Sequence, residues 1–281
     1  MTQMTPIRDD YTLSQSQIDT YLARIGMARP VQADLQSLTQ LHRAHLLTFP
    51  FEALDAFMGW PSGFTPAAAF DKMVLQRRGG WCFEMNGLFG AVLQGLGFRV
   101  TRLCGGVHRE MLGDMAVGNH LTLRVDLDRP YLAEVGVADA IFEPVPLALG
   151  PIRQRGFDFE ITEADGGWLR FNNHPQGIAR SFDFRPDHAD EEAMTAAHAW
   201  LMQDPGSPFT NALAVMRHTE DGYVALQNDQ LRRVTSGKVF EGQVTGAAHL
   251  AEILETVFDL DVPKPEDIWA RVQSRVRSEA A

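Results

Sequence analysis

RRGGWCFEMNG, Arg77 to Gly87, is the stretch on which the reading of this chain turns. A cysteine follows a Gly-Gly pair by two residues, and an apolar pattern of helical period begins immediately after it. Leu88, Phe89, Val92, Leu93 and Leu96 recur at that spacing and the pattern stops at Gly97, so Cys82 stands at the start of an expected helix. A free cysteine is most often a buried small hydrophobe. A cysteine at a helix N-terminus has another use, because the unpaired N–H groups there favour the thiolate, which is the nucleophilic form. The glycines Gly79 and Gly80 are expected to let the backbone come close to a substrate.

Upstream of this stretch the chain reads as helical. SQSQIDTYLARIG places Ile18, Tyr21, Leu22 and Ile25 on one stripe, and DLQSLTQLHRAHLLTF repeats the pattern with Leu35, Leu38, Leu41 and Leu46. PAAAFDKMVLQRR reads as a third helix with Pro66 near its first turn. From about Phe98 the period falls to two. HLTLRVDL alternates Leu121, Leu123, Val125 and Leu127 with His120, Thr122, Arg124 and Asp126. DFEITE and GWLRFN continue as short strands between turn residues, which suggests a small barrel or sandwich. Asp190 to Asp204 reads as a helix, and the tail mixes the strands ALAVMRH, GYVALQN and QLRRVTS with two helices, AAHLAEILETVF and PEDIWARVQS. The expected division is a helical bundle over 1–97, a β-barrel over 98–189, a connecting helix over 190–205 and an α/β lid over 206–281.

Composition narrows the function. The 281 residues are 45% hydrophobic and 22% charged with a net charge of −11, an ordinary globular balance without the clustered Lys and Arg that a polyanion surface needs. Two cysteines make no disulfide framework and fit a reducing, cytoplasmic setting. No apolar leader, membrane-length run, zinc spacing or phosphate-cradling glycine motif is present. A thiolate needs a base, and His120, heading a strand on its polar face, is the best placed histidine. A histidine base needs an orienting acid, and Glu134 ends the next strand. A two-residue turn at Asp128-Arg129 would put His120 opposite Val137 and leave Glu134 three residues, about 10 Å, out of line. A wider turn or a bulge beside Pro130 would bring the two together.

These residues resemble a known family. RRGGWCFEMN is similar to the RGGxCxExN signature of arylamine N-acetyltransferases, and HLLTFPFEALD, about 30 residues upstream, resembles their HxxxxPFENL segment. His120 resembles their catalytic histidine, YLAEVGVAD their DVGFG segment, and FEPVPL and DPGSPF fit segments later in the chain. The resemblance runs from about Tyr11 to the C-terminus. It implies an α+β fold of helical bundle, β-barrel and α/β lid around a cysteine-protease-like catalytic core. It implies a ping-pong reaction in which acetyl-CoA, as co-substrate, acetylates the cysteine and an arylamine or arylhydrazine takes the acetyl group.

By position the resemblance makes Cys82 the nucleophile, His120 the base and Glu134 the acid where the family has aspartate, with Asp139 as the alternative acid. It pairs Arg78 with Glu52, places Phe51, Trp81 and Val137 at the acceptor pocket, and sets Gly206, Ser207 and Thr210 near the cofactor. Val137-Ala138 replaces the family's Phe-Gly, and Ala53 replaces the Asn of PFENL. The expected partners are a small aromatic amine or hydrazine and a CoA thioester, with no metal, nucleic acid or membrane. Other readings on the same fold are an amide synthase, a cysteine acyl hydrolase and a non-catalytic ligand-binding relative.

Overall fold

The computed structural model describes residues 12–29 and 31–279; the N-terminal stretch read above as lacking a leader lies outside them. Helix α1 (Gln15–Arg24) starts at Ser14, whose side chain and Gln17 form a reciprocal capping box, and it buries Ile18, Tyr21 and Leu22. Helix α2 (Leu35–Thr48) is capped by Asp34, which accepts the Ser37 N–H at 2.8 Å. A two-residue strand β1 (Phe51–Glu52) and a short α3 (Leu54–Met58) follow. The segment expected as one helix from Pro66 is instead α4 (Pro66–Phe70) running into a widened π turn over Asp71–Leu75. The widened turn keeps three consecutive residues, Lys72, Met73 and Val74, buried.

Helix α5 (Cys82–Gly95) lies inside the molecule. Every residue from Cys82 to Leu93 is buried, so the apolar stripe seen in the sequence is the centre of a helix enclosed on all sides. It packs on the barrel-type sheet, whose eight antiparallel strands are β2 (Arg99–Val107), β3 (His120–Asp126), β4 (Pro130–Ala133), β5 (Val145–Pro146), β6 (Gly150–Gln154), β7 (Phe157–Ala164), β8 (Trp168–Asn172) and β9 (Ser181–Phe184). Their order is β5-β4-β3-β2-β9-β8-β7-β6, so the two edge strands are consecutive in the chain. A short helix α6 (Arg109–Leu112) lies between β2 and β3.

Strands β3 and β4 pair Asp126 with Pro130 and Leu123 with Ala133, leaving Leu127, Asp128 and Arg129 as a three-residue turn. This corrects the two-residue turn considered from the sequence. Continued by one step, the register puts Glu134 beside Thr122 and one same-face position from His120.

Helix α7 (Glu191–Gln203) leads through α8 (Pro208–Asn211) to a five-stranded sheet. Its strands β10 (Ala214–Thr219), β11 (Gly222–Gln227), β12 (Gln230–Thr235) and β13 (Lys238–Gln243) form an antiparallel meander, and β1 pairs with β10 at its edge. The N-terminal segment thereby contributes a strand to the C-terminal sheet. Helices α9 (Ala247–Thr256) and α10 (Pro265–Glu279) close one face, burying Leu250, Leu254, Phe258, Ile268 and Val272 against Leu54, Phe57 and Leu226. Each such side chain contributes about 1.5–3 kcal/mol on removal from water. No helix among the described residues is long and apolar enough to cross a membrane.

Candidate active site

Cys82 is the first residue of α5, and extended Trp81 precedes it. An indole cannot cap a helix through oxygen. Instead the third helical residue, Glu84, turns back and accepts the Trp81 N–H at 3.1 Å. The N–H groups of the first turn have no carbonyl one turn earlier, so partial positive charge collects beside the sulfur. Cys82 is only 5% exposed, and its Sγ lies 3.9 Å from the main-chain oxygen of Asn119. The other cysteine, Cys104, is fully buried in β2, where burial, with Asp190 and Glu191 adding to it, pushes its thiol up to about 12.

His120, the first residue of β3, brings its imidazole between Cys82 and Glu134. Nε2 lies 2.9 Å from Glu134 Oε2, and the Cys82 side chain meets the same ring. With Nε2 engaged by the acid, Nδ1 is the nitrogen left for the sulfur. Both His120 and Glu134 are buried. Burial opposes charge on the ring. The Glu134 carboxylate and the hydrogen bond to Cys82 outweigh it and raise His120 to about 10. Burial likewise works against an ionised Glu134, but the His120 charge and hydrogen bond bring it below the usual carboxylate range. Both shifts favour a charged imidazolium–carboxylate pair beside the Cys82 sulfur.

The longer acid is accommodated by curling over its own following turn. Glu134 Oε1 accepts the Gly136 N–H at 2.6 Å, the Val137 N–H at 3.1 Å and Asn86 Nδ2 at 2.8 Å. Asn86 also donates to the Leu121 carbonyl at 2.7 Å and accepts the Val135 N–H at 3.0 Å. It thus ties α5 to both strands that carry the histidine and the acid. Its role was not read from the sequence. The available signal is its position one helical turn after Cys82, on the same face. Gly136 is glycine because of packing: a Cβ there would stand 2.7 Å from Cys82 Cα and 2.5 Å from Asn86 Nδ2. Asp139, the alternative acid, turns away and takes Asn173 Nδ2 at 2.9 Å and the Ile178 N–H.

The Gly79-Gly80 pair serves a different end from the substrate approach expected. A Cβ on Gly79 would come 2.3 Å from the Pro50 oxygen, and one on Gly80 would come 2.9 Å from Glu84 Cβ and Met73 Sδ. The glycines let this loop pair with Pro50–Glu52, through the Gly80 N–H to Pro50 at 3.1 Å and the Glu52 N–H to Gly80 at 3.0 Å. Beside them Arg78 donates to Glu52 at 2.7 Å and to Asp55 at 3.0 Å.

Among the residues expected at the acceptor pocket, Val137 follows Gly136, which packs on Cys82, and donates its N–H to Glu134 at 3.1 Å. Phe51 and Trp81 both meet Phe209 of α8, with ring centroids 6.4 Å and 5.3 Å apart. Phe209 was not singled out from the sequence. Ser207 and Thr210, expected near the cofactor, direct their hydroxyls inward. Ser207 Oγ donates to the Leu201 carbonyl at 2.6 Å, and Thr210 Oγ1 donates to Asp204 at 2.8 Å. Both hydroxyl protons are used within the turn, and Gly206 beside them is exposed. A cavity of about 350 Å³ lies elsewhere, between α10 and the end of β13, lined by Trp269, Gln273 and Gln243.

A family model described as N-acetyltransferase matches residues 34–267. The arylamine N-acetyltransferase of Mycolicibacterium smegmatis is 30% identical over 90% of this chain and 95% of its own length, and that of Escherichia coli 27% identical over 87% and 89%. Among solved structures, the M. smegmatis arylamine N-acetyltransferase superposes with a TM-score of 0.81 at 30% identity, covering 92% of this chain and 97% of that one. The Mycobacterium marinum enzyme in complex with CoA superposes with a TM-score of 0.82 at 26% identity, over 92% of this chain and 98% of its own. The fold is therefore the α+β arrangement of these enzymes, and the chain belongs to the arylamine N-acetyltransferase family.

Proposed function

We propose that the protein transfers an acetyl group from acetyl-CoA to an arylamine or arylhydrazine through an acetyl-cysteine at Cys82, with His120 and Glu134 completing the triad. The observation that carries this reading is the continuous line from Cys82 through the His120 ring to Glu134, with Nε2 fixed at 2.9 Å from the acid. In the first half-reaction the Cys82 sulfur attacks the thioester carbonyl. The carbonyl oxygen becomes an oxyanion, which the first-turn N–H groups of α5 are placed to stabilise. The C–S bond to CoA breaks, and the departing thiolate takes the proton held at His120 Nδ1. In the second half-reaction the amine nitrogen attacks the acetyl carbon, His120 accepts its proton, and the Cys82 thiolate is expelled. Each half returns the site to its starting charge.

The substrates reported for the relatives support the donor and acceptor classes, since the names of those enzymes specify arylamines and one was solved with CoA. Val137, the residue after Gly136, is a small aliphatic side chain, which favours a wide acceptor mouth near the acetyl carbon. The test is steady-state kinetics with both substrates varied. Parallel double-reciprocal lines and loss of all turnover in Cys82→Ala are expected. Intersecting lines, or turnover surviving in Cys82→Ala, would contradict the covalent route.

A further inference from the structure

Beneath the N-terminus of α5 lies a buried ionic cluster that the acyl-transfer steps above do not use. Glu52, Asp55 and Glu84 supply three carboxylates and Lys72 and Arg78 two cations, a formal charge of −1. Lys72 Nζ touches all three acids, at 2.7 Å from Asp55, 2.9 Å from Glu84 and 3.4 Å from Glu52. Arg78 reaches Glu52 and Asp55, so among the described residues Lys72 is the only cation within ion-pair distance of Glu84. Glu84 is the residue that holds the Trp81 N–H, and Ser62 Oγ donates to its other oxygen at 3.1 Å. Burial raises the Glu84 carboxyl above the usual carboxylate range, and the Lys72 charge works against that rise. The widened turn Asp71–Leu75 is what aims Lys72 inward, and Met73 of the same turn packs on Gly80.

Glu84 therefore does two opposing things. Its oxygen fixes the residue before the nucleophile, while its negative charge sits within the first turn of the helix on whose N-terminus a thiolate must form. An unscreened carboxylate 3.1 Å from the N–H of the residue before Cys82 would work against a thiolate there. We propose that Lys72 is the positioning residue that resolves this conflict: its ammonium, 2.9 Å from Glu84, holds that carboxyl group on the Trp81 N–H and offsets its charge beside Cys82. The inference rests on Cys82 being the nucleophile. A purely structural ion pair would stabilise the fold without tuning the sulfur.

The experiment follows iodoacetamide alkylation of Cys82, identified by peptide mass, against pH. In Lys72→Met the midpoint of the rate is expected to rise by about one pH unit, and the second-order rate of acetylation by acetyl-CoA to fall about tenfold. Lys72→Met/Glu84→Gln returns the cluster to a formal charge of −1 and is expected to recover most of the midpoint. An unmoved midpoint in Lys72→Met, or no recovery in the double variant, overturns the proposal. Should Lys72→Met not fold, Glu84→Gln alone keeps an oxygen for the Trp81 N–H and removes the charge, so its midpoint should fall below that of the parent; an unchanged midpoint again overturns the proposal. Failure of the underlying reading shows separately, as a parent protein that gains no acetyl group at Cys82 from acetyl-CoA.

Discussion

Glu134 decides which way the imidazole of His120 faces. An ionised carboxylate can only accept, so the ring presents N–H at Nε2, and in the proposed mechanism Nδ1 is the nitrogen that exchanges its proton with sulfur and substrate. In Glu134→Gln, Oε1 would still take the N–H groups of Gly136, Val137 and Asn86, so the amide would present its NH₂ to the ring. Nε2 would then accept and Nδ1 would keep its proton. By the precedent of triads whose acid is made an amide, kcat/KM is expected to fall by about 10²–10⁴-fold with little change in fold. Steady-state rates with circular dichroism as control check this, and activity near that of the parent would place the orienting acid elsewhere. At this scale the helix-start position of Cys82 and the strand-heading position of His120 were legible, because both are local patterns; Glu134 stood open against Asp139, and its contact with His120 depends on the β3–β4 register. Asn86, Lys72 and Phe209 were not legible. Their roles depend on contacts with residues 12 to more than 100 positions away, which no spacing rule encodes.

The site is assembled by two elements that meet at one glycine. Helix α5 supplies Cys82 and Asn86, the β3–β4 hairpin supplies His120 and Glu134, and Gly136 lets the chain after β4 lie directly on Cys82 Cα. Gly136→Ala would force a Cβ into contacts of 2.7 Å and 2.5 Å with backbone and Asn86, so helix and hairpin must separate. Overpacking of this kind costs about 1–3 kcal/mol. The expected outcome is a lower melting temperature together with at least a tenfold loss of kcat/KM; an alanine variant with parental activity would show that the contact does not set the geometry. Helix α5 and the β3 alternation were legible because the sequence repeats apolar residues at helical spacing in the first and at every second position in the second, and β10–β12 because short runs there are bounded by turn residues. Strand β13 escaped because each of its residues is exposed, so it has no buried face to give a period. Strand β1 escaped because two residues carry none. The β3–β4 turn was open between alternatives, and its register is set by pairing that the turn residues alone do not dictate.

Across the whole molecule, the His120–Glu134 pair links stability to pH. His120 is raised in the folded state, so its contribution is complete below the ordinary imidazole value near 6.5, declines as pH rises, and is gone above about 10. Glu134 is lowered, so its contribution is present above the ordinary carboxylate value near 4.3 and is lost as pH falls through the folded value. The difference in melting temperature between the parent and Glu134→Gln is therefore expected to be largest at about pH 5–6 and to shrink toward pH 10. A difference independent of pH would mean the pair is not charged in the folded state. The predicted changes in turnover depend on Cys82 carrying the acetyl group between donor and acceptor. Intact-mass spectrometry after mixing with acetyl-CoA tests that most directly. The account predicts one added acetyl group, mapped to Cys82, which disappears on addition of an arylamine as the acetylated amine forms. A protein that gains no acetyl group, or one whose acetyl-Cys82 persists unchanged beside the amine, would contradict it.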